Sequence, residues 1–261
     1  MTRISRRQFI IAATGSAAGL ASVARSFARP DSSARTSAAR PEFACALVDL
    51  EGCCALRESL VGYEAALARC RVRFVRTTPE RATRASLIIV PGCARFERGF
   101  VTLLRSSLEQ GSLVVIESGA AFAESAEFGA HRTVLESHFG IEIDAPVSLW
   151  SEGVGEGFAL PNYAAKSPTR AGRTRVPYID FTWPVRAKVR DFSRVVPLRL
   201  SGAGLERDGV EPIGWAEGQL IGARRTIGKG MLAYLGSPLG PALRYEDREA
   251  ERWLNALLGV S

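Results

Sequence analysis

Residues 85–119 read ASLIIVPG CARFERGFVTLLRSSLEQ GSLVVIESG. Leu87–Val90 is a continuous apolar run that stops at Pro91-Gly92. Leu113–Ile116 is a second such run and stops at Glu117-Ser118-Gly119. Neither run alternates apolar with polar residues, which is the pattern of a strand covered on both faces of a parallel sheet. The stretch between them, Phe96 to Gln110, has helical spacing, and Gly111 stands where a left-handed residue closes a helix. A strand, a helix and a second buried strand make the repeating unit of an α/β fold.

The same rhythm extends outward. Phe43 to Leu50 (FACALVDL) is an apolar strand followed by Asp49 and Glu51. Leu56, Leu60, Tyr63 and Leu67 share one face of a helix that ends at Cys70. Val72 to Thr77 is a further strand, and Glu124 to Phe139 a further helix closed by Gly140. The second half reads differently. Ile141 to Trp150 is extended, and Val185 to Leu200 alternates weakly, as a strand pair would. Pro212 to Arg225 reads as a hairpin through Glu217-Gly218. Gly228-Lys229-Gly230 is a turn before a buried strand, Met231 to Leu235. Asp247 to Leu258 is a terminal helix with Ala250, Trp253, Leu254 and Leu257 on its apolar face. Ser151 to Arg175 is long, polar and Gly-rich, the composition of a lid, a partner-ordered loop or a simple insertion.

The N-terminus carries an address. Ser5-Arg6-Arg7-Gln8-Phe9-Ile10 precedes an uncharged, Ala- and Gly-rich run from Phe9 to Ala24. That run is too short and too weakly apolar for a membrane span. Small residues at Ser26 and Ala28 suit signal cleavage. Paired arginines in this setting resemble the twin-arginine export signal, read at Arg6 and Arg7. The expected organisation is a signal at 1–28, a disordered linker at 29–41 and one α/β domain at 42–261. The resemblance implies a bacterial protein that meets the twin-arginine translocase and ends periplasmic or exported, with no stable transmembrane segment in its mature form.

Composition removes several functions. The net charge is +7, but Arg3, Arg6, Arg7 and Arg25 belong to the signal; without them 30 basic side chains face 27 acidic ones. The arginines are dispersed among acids, so neither a nucleic-acid stripe nor a polybasic membrane patch is present. Cys45, Cys53, Cys54, Cys70 and Cys93 include no C-x-x-C pair, and only His131 and His138 are available. A zinc site is not expected, nor is any cofactor.

Taken in order, ASLIIVPG, GSLVVIESG and the late GKGMLAYLGSPL (228–239) resemble the class I glutamine amidotransferase-like fold, whose members include ThuA-like domains. The resemblance implies a flavodoxin-like three-layer sandwich with a mainly parallel central sheet, here with extra β elements in the second half. Catalytic members carry a cysteine between two glycines at a tight strand-to-helix elbow. Here Ser118 holds that place without the glycines. Ser237 and Leu239 stand where the base histidine and carboxylate would be, so the Cys-His-Glu triad is missing and Ser118 lacks a base.

Ligands in open α/β sheets bind beyond the carboxyl ends of the strands. Asp49, Glu51, Gly92, Cys93, Glu117, Ser118 and Ser237 all read as strand-end residues and form the candidate ligand site. The alternative for two of them is structural: Asp49 capping a turn and Glu117 bonding a loop backbone. The expected function is an exported, non-catalytic domain binding a small polar ligand or an envelope protein. The alternative is a hydrolase with Ser118 or Cys93 as nucleophile and an unrecognised base. The export reading has a direct check. Replacing Arg6 and Arg7 together by lysine keeps the charge and should abolish export; unchanged export of the double variant contradicts a twin-arginine signal.

Overall fold

The computed structural model describes residues 43–50, 57–82, 85–118, 122, 125–148, 178–190, 194–199 and 209–260. The signal and linker, Glu51, Cys53, Cys54 and the loop at 151–175 lie outside the described residues. In chain order the elements are β1 (Phe43–Val48), α1 (Arg57–Arg69), β2 (Phe74–Thr77), α2 (Pro79–Ala82), β3 (Ala85–Cys93), α3 (Arg98–Gln110), β4 (Leu113–Ser118) and α4 (Ser125–Val134). There follow β5 (Val147–Ser148), β6 (Tyr178–Phe181), β7 (Ala187–Arg190), β8 (Arg194–Val195), β9 (Val210–Ala216), β10 (Gln219–Ile227), β11 (Gly230–Leu235), α5 (Gly240–Arg244) and α6 (Arg248–Leu258). Helix α4 runs on into a π-helical turn, Leu135–Phe139.

Nine strands form one sheet in the order β2-β1-β3-β4-β11-β10-β9-β6-β7. The first five are parallel neighbours, in the order of a flavodoxin-like doubly wound sheet. The remaining four are added antiparallel. The sheet is therefore mixed, half parallel and half antiparallel, rather than mainly parallel. The cause is local. Glu217 (φ +47°) and Gly218 (φ +82°) are both left-handed, the geometry of a two-residue hairpin turn, and they fold β10 back on β9. Gly228 (φ +60°) and Lys229 do the same between β10 and β11. Short turns make antiparallel neighbours, because a parallel pair needs a long crossover. The expected strand pair within 185–200 is not formed. β7 pairs with β6, and β8 pairs with β5.

Alternation along the parallel strands sends successive side chains to opposite faces. Val48, Ile88, Val90, Val114 and Ile116 meet α3 through Phe100, Leu104 and Leu108. Leu47, Leu87, Ile89, Val115 and Ala233 meet α1, α5 and α6 through Leu60, Leu67, Leu243 and Trp253. Helices thus cover both faces. Asp247 caps α6, its carboxylate accepting from the backbone N–H groups of Glu249 and Ala250 at 3.0 and 3.3 Å. Trp253, buried on the α6 face read from the sequence, donates Nε1–H to the Trp183 carbonyl at 2.8 Å.

His131 belongs to the first of these cores. It is 1% exposed, its ring stacked on Phe96 at 4.9 Å and 5.0 Å from the Phe122 ring. Burial pushes its pKa from 6.5 to about 3, with the Ala94 backbone acting weakly the other way. A histidine held neutral in the fold but free to charge when unfolded supports stability above pH 6.5. That support is lost progressively as pH falls toward 3. Stability should therefore drop in acid, with His131 contributing on the order of 2 kcal/mol of the loss by pH 5. Urea unfolding of His131→Phe at pH 7.5 and pH 5 checks this: the variant should lose less than the parent between the two. Equal losses would contradict the assignment.

Candidate functional site

Because β1, β3, β4 and β11 run parallel, their carboxyl ends lie along one edge of the sheet. Asp49, Gly92, Cys93, Glu117, Ser118 and Ser237 all stand at that edge. They do not form one site. Glu117 and Ser118 are neighbours in a strand, so they face opposite sides. Glu117 shares the face of Val115 with α1 and α5, while Ser118 shares the face of Ile116 with α3. Cys93 pairs in register with Ser118 and packs in the same core. The single concave cluster expected from strand ends is thus divided by the sheet itself.

On the α1 face, Glu117 is completely buried, and both carboxylate oxygens are occupied. Oε2 accepts from the Gly92 backbone N–H at 3.0 Å and from the Ser59 hydroxyl. Oε1 accepts from the Gly240 N–H at 3.1 Å and from the Leu239 N–H. One side chain therefore joins the ends of β3 and β4 to α1 and to the start of α5. Burial pushes the Glu117 pKa up, while the four hydrogen bonds, Ser59 first, pull it back. Tyr63 follows Ser59 by one turn of α1, on the same helix face. Its hydroxyl is buried close to Glu117 but meets no hydrogen-bond geometry. Burial, and then the neighbouring carboxylate, push that phenol well above its ordinary value.

Glycines allow this convergence. Gly92 follows Pro91 at φ +56°, a left-handed conformation that costs glycine nothing. A Cβ on Gly240 would lie 2.3 Å from the Ser59 Cα, and one on Gly62 would lie 1.7 Å from the Gly240 carbonyl oxygen. α1 and α5 therefore touch backbone to backbone, which brings Ser59 and the Gly240 N–H to the same carboxylate. Ser59 and Gly240 were not singled out in the sequence, and Leu239 was read only as the residue in the place of a catalytic carboxylate. The available signals were Ser-x-x-Gly-Tyr on α1 and the Gly-Pro that opens α5.

On the opposite face, Ser118 remains within β4, and its backbone is not among the left-handed residues. A nucleophile elbow needs a sharp, strained turn at that place. The buried hydroxyls of Ser118 and Tyr234 face each other without reaching hydrogen-bond geometry, and burial pushes the Tyr234 phenol up. His131 is enclosed by Phe96 and Phe122, and His138 is exposed at the end of the π turn. Cys93 is fully buried and its thiol donates to the Arg95 carbonyl at 3.4 Å. Ser237 is buried just beyond β11. Asp49, at the edge, holds Arg76 of β2 through Nε and Nη2 at 3.0 and 2.7 Å; the turn after it, which it was expected to cap, lies outside the described residues. Among the described residues no group of His, Cys, Asp and Glu has the arrangement of a metal site, and no helix is long and apolar enough to cross a membrane.

No protein-family model matches the sequence, and no curated protein matches it. Solved structures do share its fold. The β-galactosidase of Bacillus circulans sp. alkalophilus is 15% identical with a TM-score of 0.56; the match covers 85% of this chain and 32% of that one. The β-galactosidase of Rahnella sp. R3 is 12% identical with a TM-score of 0.57, covering 84% and 31%. A cytoplasmic protein of Salmonella typhimurium LT2 is 11% identical with a TM-score of 0.50, covering 77% of this chain and 86% of that one. The chain thus spans about a third of the galactosidases that it resembles. At these identities the likeness concerns the α/β fold alone.

Proposed function

We propose that this chain is an exported, non-catalytic domain of the amidotransferase-like type, acting by binding a small polar ligand or an envelope partner protein. The observation that carries the non-catalytic part is the state of Glu117. Among the described residues it is the one fully buried carboxylate at the strand ends, and its two oxygens are committed to Gly92, Leu239, Gly240 and Ser59. A general base must reach the proton it abstracts, and a carboxylate enclosed by four donors has no free lone pair directed at a substrate. The two candidate nucleophiles fare no better. Ser118 faces a tyrosine whose proton is held more tightly than usual, and Cys93 is buried beside a backbone carbonyl. A thiol acts as a nucleophile only as its thiolate, which apolar burial disfavours.

Export rests on the Arg6-Arg7 pattern, which makes the twin-arginine translocase the first partner. The galactosidase likeness supports the α/β fold alone, over about a third of those longer chains. Exposure of the folded protein to a fluorophosphonate and, separately, to iodoacetamide tests the reading, with labelled peptides identified by mass spectrometry. Neither Ser118 nor Cys93 should be modified before unfolding. Stoichiometric labelling of either residue in the native protein would replace this proposal by the hydrolase alternative.

A further inference from the structure

Four groups donate to Glu117, filling the acceptor sites of its two oxygens. Ser59, Gly92, Leu239 and Gly240 come from three separate parts of the chain. The Tyr63 hydroxyl, fully buried and outside hydrogen-bond geometry, lies close to the same carboxylate. Three of the donors are backbone N–H groups, whose positions are fixed by the fold and not by a side-chain rotamer. Convergent backbone N–H groups form an anion-binding concavity. The place of this concavity is also informative. The parallel order β2-β1-β3-β4-β11 reverses direction between β1 and β3, the switch point at which such sheets take ligands. Gly92 ends β3, and Ser59 lies in the helix that follows β1. The chain's own side chain reaches this place from β4.

We propose that this cradle is a carboxylate receptor whose resident ligand is Glu117, and that it takes up a free small carboxylate once that side chain is removed. The two oxygens of the ligand are divided between two pairs of donors: Gly92 with Ser59, and Leu239 with Gly240. That division suits a planar, two-oxygen anion and not a spherical one. Formate is the smallest such anion, and it carries no substituent to meet the packed walls of α1 and α5. The proposal deepens the preceding one, because it rests on Glu117 closing the strand ends. It does not depend on whether Ser118 or Cys93 reacts, so the labelling result and the result below are independent.

Glu117→Gly removes the whole side chain and leaves room for formate. Its thermal unfolding is followed in sodium formate and in sodium chloride of equal ionic strength, beside the parent protein and Glu117→Gln. The midpoint of Glu117→Gly should rise with formate concentration and exceed its value in chloride by several degrees. The parent and Glu117→Gln, whose cradles are filled, should show no formate-specific rise. If Glu117→Gly does not fold in chloride, it is refolded from urea in each salt, and native circular dichroism should return in formate alone. A midpoint no higher in formate than in chloride overturns the proposal. So does an equal formate response in the parent protein, or an unfolded variant that formate fails to recover.

Discussion

A buried carboxylate with every lone pair engaged is the constraint around which this domain is arranged. Glu117 leaves the end of β4 and gathers hydrogen bonds from β3, α1 and α5. Taking a carboxylate out of water costs several kcal/mol unless it is compensated. The compensation here comes from neutral dipoles in fixed positions. Each of those donors would be unpaired if the carboxylate were lost, so the requirement is mutual. The surrounding features follow from it. Gly92 adopts a left-handed backbone, Gly62 and Gly240 let two helices meet backbone to backbone, and a buried serine faces a strand end.

The same arrangement occupies the polar groups at the strand ends. Open α/β sheets offer ligands a crevice lined by backbone N–H groups and strand-end side chains. In this chain the N–H groups and the side chain are engaged with each other. Ser118, one residue further on, is turned to the opposite face and remains in regular strand geometry.

Much of the architecture was legible in the sequence because it follows from short-range rules. Unbroken apolar runs marked β3 and β4. Glu217-Gly218 marked the β9–β10 hairpin, and both residues are left-handed. Asp247 and the Ala250-Trp253-Leu254 face marked α6. The parallel share of the sheet was overestimated, because β10, β9, β6 and β7 extend it antiparallel; within 185–200, β7 pairs with the preceding β6 and β8 with β5 in a separate two-stranded sheet. The strand-end residues were found, but their division between two faces was not, although the one-residue step from Glu117 to Ser118 requires it. Ser59 and Gly240 escaped notice for a different reason. Their role depends on the close contact of α1 with α5, a long-range packing fact that local spacing does not carry. The structural alternative for Glu117, a bond to loop backbone, is the geometry found.

The most direct test of this account is the equilibrium unfolding of Glu117→Gln at neutral pH. The substitution keeps shape and volume but replaces one acceptor oxygen by an amide donor, so at least one buried N–H of Gly92, Leu239 or Gly240 loses its partner. An unsatisfied buried donor costs about 1–3 kcal/mol. The unfolding free energy should fall by about 2 kcal/mol or more with an unchanged denaturant slope, the mark of lost stability and not of altered compactness. A variant as stable as the parent to within about 0.5 kcal/mol, the range of ordinary surface substitutions, would contradict the claim that the Glu117 carboxylate holds the strand ends and helices together.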